Sequence, residues 1–132
     1  MKVIVDTSVW SLVLRRRNFL NPEIENKLLS FIDKGEIILL GPIRQEILSG
    51  IKEKKQFDLL KEYLRAFPNF RITLEEYEMA AELFNECRKK GIQGSNIDFL
   101  ICAVAVTNDL TIYSIDNDFK LFQKYLPIKL ES

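Results

Sequence analysis

The chain has 132 residues, 47% hydrophobic and 29% charged, with 19 basic side chains balanced by 19 acidic ones. That length and composition fit one globular domain with its own core, and zero net charge excludes a surface dominated by a single electrostatic sign. There is no histidine, which excludes Ser-His-Asp and Cys-His nucleophiles, and no apolar stretch approaches the roughly 20 residues of a membrane span.

The first element is the run Lys2, Val3, Ile4, Val5, halted by Asp6. Apolar β-branched residues ended by a carboxylate predict a buried strand that delivers an acid to its C-terminal edge, where ligands collect in open α/β sheets. The same run is too short for a signal-peptide core and is interrupted by a charge, so a cytoplasmic location is expected. Residues 8–14 predict a short helix leading into Arg15, Arg16 and Arg17. Asn21 and Pro22 supply a capping side chain followed by a first-turn proline, and the helix they open turns Ile24, Leu28, Leu29 and Ile32 inward until Gly35. Residues 36–40 read as a second buried strand, closed by Gly41 and Pro42.

A helix with Ile43, Glu46 and Ile47 follows, and Gly50 separates it from residues 52–67. There Phe57, Leu60, Tyr63, Leu64 and Phe67 keep helical spacing until Pro68. Residues 70–72 are a short strand candidate. Thr73 and Glu76 form a capping box for a long helix reaching about Lys90, and Gly91 and Gly94 mark a loop. Residues 96–109 form an almost wholly apolar helix that feeds a strand at 111–114. Asp116, Asn117, Asp118 and Phe119 open a last short helix, and residues 127–130 complete an edge strand. The alternation predicts a single α/β domain over residues 1–132, with a mostly parallel sheet of about five strands flanked by helices. Cys87 and Cys102 lie within apparent helices and read as buried free thiols.

Four carboxylates stand in apolar or turn-like settings where an unpaired charge is costly: Asp6, Glu46, Asp98 and Asp116. If the first strand pairs with the 111–114 strand across a topological switch point, Asp6 and Asp116 become neighbours, with Glu46 and Asp98 directed at the same edge. Carboxylates gathered in this way need a cation or a proton, and hard divalent ions such as Mg²⁺ or Mn²⁺ suit oxygen ligands. Each acid also has a plainer reading. Asp6 could cap the helix after it, Glu46 could be a surface residue, Asp98 could serve the helix dipole, and Asp116 or Asp118 could cap the final helix.

In these segments the chain resembles the PIN-domain family, and within it the VapC-type toxins of toxin–antitoxin pairs. The matching residues are Val3-Ile4-Val5-Asp6-Thr7-Ser8-Val9, then Gly41-Pro42-Ile43-Arg44-Gln45-Glu46-Ile47-Leu48-Ser49-Gly50, then Asn96-Ile97-Asp98-Phe99-Leu100-Ile101-Cys102-Ala103, and last Tyr113-Ser114-Ile115-Asp116-Asn117-Asp118-Phe119. One Asp-Thr-Ser carries little information; four segments in family order carry much more. The resemblance implies that Asp6, Glu46, Asp98 and Asp116 are the catalytic and metal-holding acids. Thr7 or Ser8, and Ser114 where threonine is more usual, would be auxiliary hydroxyls, with Asp118 a further auxiliary acid.

The activity implied is Mg²⁺- or Mn²⁺-dependent hydrolysis of RNA phosphodiester bonds, leaving 5′-phosphate and 3′-hydroxyl ends. Also implied are a homodimer, a cognate VapB-type antitoxin and no membrane partner. An acidic pocket repels phosphate, so cations must hold RNA at its rim, and Arg15, Arg16, Arg17 and Arg44 are the candidates. Trp10, Phe57 and Tyr63 could serve partner surfaces or the core. Two rivals stand beside this reading. A catalytically silent binding module of the same fold is one. A haloacid-dehalogenase-like phosphatase is the other, although it would want an acid where Ser8 stands.

Overall fold

The computed structural model describes residues 1–15 and 21–131; Arg16, Arg17 and the side chain of Arg15 lie outside the described residues. The chain runs β1 (Val3–Val5), α1 (Thr7–Arg15), α2 (Pro22–Asp33), β2 (Ile37–Ile38), α3 (Gly41–Leu48), α4 (Lys54–Leu64), α5 (Leu74–Lys89), α6 (Asn96–Asn108), β3 (Thr111–Tyr113), α7 (Asp118–Gln123) and β4 (Lys129–Leu130). The strands form one parallel sheet in the order β2-β1-β3-β4. Val3, Ile4 and Val5 are fully buried, as expected of a central parallel strand covered on both faces.

From β1 the chain passes to β2 on one side, and β3 pairs with β1 on the other. The C-terminal edge between β1 and β3 is therefore the topological switch point, the position at which open α/β sheets leave a crevice. Val5 stands opposite Tyr113 in the register, so Asp6 and Ser114 leave the sheet side by side.

The caps behave as their chemistry requires. Asn21 accepts from the Ile24 N–H, Pro22 occupies the first turn of α2, and Gly35 follows the helix at φ +66°. Both α5 and α6 open with reciprocal capping boxes, Thr73 with Glu76 and Ser95 with Asp98. Residues Phe99 to Ala105 of α6 are all buried, which explains why that helix is apolar on every side. A row of rings ties the helices together: Phe84 of α5 meets Phe99 of α6 at 5.6 Å, Phe99 meets Phe122 of α7 at 4.9 Å, and Phe122 meets Phe119 at 5.5 Å. Gly94 lies against this row so closely that a Cβ there would stand 2.6 Å from Phe122 Cζ and 2.9 Å from Phe99 Cε2.

Two expectations need correction. The sheet has four strands rather than about five, because around residues 70–72 there is only an isolated bridge between Leu39 and the preceding Asn69 and one bond from the Phe70 N–H to the Leu39 carbonyl at 2.8 Å. Thr73 is already the N-cap of α5, so the segment has no length left for a ladder. The helix expected over 52–67 spans Lys54–Leu64 and ends in turns whose carbonyls are taken by a side chain of α3. Trp10 is fully buried, edge-on to Phe67 at 5.5 Å, so it belongs to the core; Tyr63 is 44% exposed. Among the described residues no helix is long and apolar enough to cross a membrane.

Candidate active site

The site begins with Asp6, which is only 7% exposed. Its backbone N–H continues the ladder to the Tyr113 carbonyl at 2.8 Å, which fixes where the side chain leaves the sheet. Asp6 Oδ2 accepts from Ser8 Oγ at 2.7 Å and from Ser114 Oγ at 2.9 Å, and more weakly from the Ser8 N–H at 3.4 Å. The long bond is the helix-capping one and the short ones come from hydroxyls. Asp6 does therefore sit at the start of α1, but capping is its weaker contact.

Each serine hydroxyl has one proton, and both protons point at Asp6 Oδ2. The 3.3 Å approach of Ser8 Oγ to Ser114 Oγ is consequently contact rather than a bond of its own. The lone pairs of the hydroxyls are filled by backbone. Ser8 Oγ accepts from the Ile115 N–H at 3.2 Å, and Ser114 Oγ accepts from the Asp116 N–H at 2.9 Å. The loop after β3 is thus hung on the hydroxyls that hold Asp6. Asp116 Oδ1 then accepts from the Asp118 N–H at 2.9 Å, shaping the turn into α7. Asp118 enters through its backbone, and its exposed side chain makes no described contact with the other acids.

Asp98 combines two roles. Its N–H donates to Ser95 Oγ at 3.1 Å, and its Oδ2 accepts from the Ser95 N–H at 3.0 Å. Burial pushes its carboxyl above the ordinary range; the bonds to Ser95 oppose that shift, and the charges of Asp6 and Asp116 add to it. Asp98 therefore lies within electrostatic reach of Asp6 and Asp116. Glu46, exposed on α3, accepts from Thr7 Oγ1 at 2.6 Å, which ties it to the residue next to Asp6.

The donors are all oxygen, the set that hard divalent ions prefer. Among the described residues no three acidic side chains converge into a ready-made metal cage. Mg²⁺ is commonly held by one or two carboxylates, with water and substrate phosphate filling its shell, so the residues present fit such an ion.

Arg44 has a different task from the one expected. Its Nε donates to Asn69 Oδ1 at 2.8 Å and its Nη1 to the Leu64 carbonyl at 2.9 Å, while its Nη2 donates to the Phe67 carbonyl. The guanidinium fork closes the end of α4 and fixes the loop that pairs with Leu39, so it is not a free cation on the rim. Nothing in the sequence announced this, nor the use of the Ile115 and Asp116 N–H groups to seat the serines. Arg15, Arg16 and Arg17 remain candidates by sequence alone.

Comparison with known proteins adds the following. The family profile described as PIN domain matches residues 3–125. No curated protein sequence matches the chain. Among solved structures, VapBC2 from Rickettsia felis, bound to a DNA fragment from its promoter, superimposes with a TM-score of 0.75 at 20% identity, covering 99% of this chain and 98% of that one. VapBC-1 from nontypeable Haemophilus influenzae gives 0.73 at 12% identity, covering 100% and 98%. VapBC-5 from Mycobacterium tuberculosis, a member of the VapBC family of toxin–antitoxin systems, gives 0.67 at 15% identity, covering 98% of each chain. At such identities the likeness shows a shared fold.

Proposed function

The chain belongs to the PIN-domain family, and from that premise we propose that it is a divalent-metal-dependent endoribonuclease, the toxic member of a toxin–antitoxin pair of the VapBC type. One observation carries the reading: a nearly buried Asp6 is held by the Ser8 and Ser114 hydroxyls at the switch point of a parallel sheet, with Asp116 on the same hydrogen-bond net and Asp98 within electrostatic reach. PIN domains are generally nucleases, and solved VapBC proteins share this fold over nearly their whole length.

Asp6, Asp98 and Asp116 are the residues that would hold the ion, directly or through water. Such an ion would supply a water of lowered pKa and neutralise charge on the reacting phosphate. Ser8 and Ser114 donate to Asp6 Oδ2, which fixes that carboxylate in direction. Glu46, which accepts from Thr7, would ligate the ion or act on the attacking water. Attack by a metal-activated water rather than by the 2′-OH would leave products with 5′-phosphate and 3′-hydroxyl ends. A VapB-type antitoxin and a homodimer complete the proposal.

A second reading, a catalytically silent binding module, draws on the lack of three converging acids among the described residues. RNA cleavage in Mg²⁺ or Mn²⁺, in EDTA and with Asp6→Asn separates the two. The nuclease reading expects metal-dependent cuts, lost in EDTA and in the variant, with the stated ends. Cleavage that persists in EDTA sinks the metal mechanism, and no cleavage across a broad panel of structured RNAs selects the silent module.

A further inference from the structure

A cavity of about 640 Å³ opens beside Asp116, between α2, α7 and the end of β4. That volume falls within the range of small-ligand pockets. Ser114, Ile115 and Asp116 line it, so the loop hung on the site's hydroxyl net is also a wall of this cavity. Tyr113 and Phe119 add aromatic surface, and Ile115 between Ser114 and Asp116 is 41% exposed, an apolar shelf at the mouth. Two acids, Glu23 and Glu131, stand on its far side, with Lys27 bridging to Glu131 at 3.3 Å and lying over the Tyr113 ring at 5.6 Å.

This wall chemistry sorts the parts of a nucleotide. Carboxylates repel a phosphate but accept hydrogen bonds from amino groups, as Asp and Glu do when they read cytosine N4. Apolar and aromatic surface welcomes the face of a base. Lys120, exposed on the rim, is placed for the backbone phosphate that must stay outside. Resting on the nuclease reading above, we propose that this cavity is the subsite for a base flanking the scissile phosphate, and that Glu23 makes it prefer a base with an exocyclic amino group over uracil.

Two measurements test it separately from cleavage as such. The first titrates the full chain, without divalent metal, with CMP and with UMP while amide NMR signals are followed. Shifts centred on Ser114, Ile115 and Lys120, stronger for CMP and weakened by Glu23→Gln, are expected; no shifts there, or equal ones for both nucleotides, overturn the proposal. The second cuts oligoribonucleotides varied at each position flanking the cut, including one with an abasic residue. Wild type should favour an amino-bearing base at one flanking position, and Glu23→Gln should cut that preference roughly tenfold while leaving the abasic substrate unaffected. An unchanged preference overturns the subsite while leaving the nuclease intact. Nucleotide binding at the cavity without any cleavage rejects the nuclease and, with it, the role of a base subsite beside a scissile phosphate, leaving only a nucleotide-binding cavity.

Discussion

Two helices of this molecule begin with the same device and use it for opposite ends. At the start of α5, Thr73 and Glu76 form a capping box, and the remaining oxygen of Glu76 accepts from Asn108 Nδ2 at 2.6 Å. Glu76 is 2% exposed, both its oxygens are engaged, and the bond to Asn108 staples the start of α5 to the end of α6. At the start of α6, Ser95 and Asp98 form the same box, but no described bond engages the second oxygen of Asp98, and the nearby charges are Asp6 and Asp116. One box is closed on itself and the other is left electrostatically frustrated. The motif settles where a helix starts; what the leftover oxygen faces decides whether the residue is structural or chemical.

The largest expected effect breaks the open box and its neighbours. Asp98→Asn keeps the shape of the box, as Asp6→Asn keeps that of its own site, yet either should lower RNA cleavage by more than the roughly 10–100-fold typical of outer-shell metal partners. Circular dichroism and melting curves should show that both variants stay folded. A variant that keeps wild-type cleavage would reduce its acid to a cap.

The complementary change lies in the closed box. Glu76→Ala removes a cap and one of the two bonds of Asn108 Nδ2, which keeps its bond to the Val104 carbonyl, and should destabilise the chain by about 2 kcal/mol in urea unfolding while sparing activity per folded molecule. Loss of activity without loss of stability would erase the contrast. Arg44→Ala should likewise cost about 2 kcal/mol, since the Leu64 and Phe67 carbonyls lose a charged donor. Arg44→Lys should not restore it, because an ammonium cannot reproduce the planar fork. RNA affinity is the readout that would overturn this assignment: a selective fall in binding, with stability unchanged, would return Arg44 to the rim.

The smallest effect is in pH. Burial, with the charges of Asp6 and Asp116, raises the folded pKa of Asp98 above its unfolded value. Its proton is then bound more tightly in the folded chain, so its contribution to stability is full below the ordinary carboxylate range and lost as pH rises through the raised pKa. Melting temperatures across acidic pH should show wild type losing ground against Asp98→Asn as pH rises. Added Mg²⁺ should raise the melting point of wild type more than that of the variant, because a cation removes the penalty that the asparagine never had.

Much of this was readable from residue order. An apolar run ending in Asp6, the Asn21-Pro22 opening and the Thr73 box all follow from local chemistry, and the fold obeys them. What failed was non-local. Residues 70–72 have strand composition, but the next helix claims Thr73 before a ladder can form. Arg44 looks like one more helical cation until the end of α4 is folded against it. Asp98 could not be assigned as cap or ligand from sequence, because it is a cap in a place where other charges gather. The site residues themselves rest on the geometry and await the substitutions above.

The row of rings from Phe84 through Phe99 and Phe122 to Phe119 has a mechanical consequence. Phe99 follows Asp98 in sequence and Phe119 follows Asp118, so the row is a strut between two acid-bearing segments. Packed aromatic interiors compress little and transmit strain. With Gly94 filling the last space beside it, the strut has a set length and no slack. Side chains that never meet a phosphate thereby act as the gauge block of the site, and a methyl group added at Gly94 would be felt at its acids.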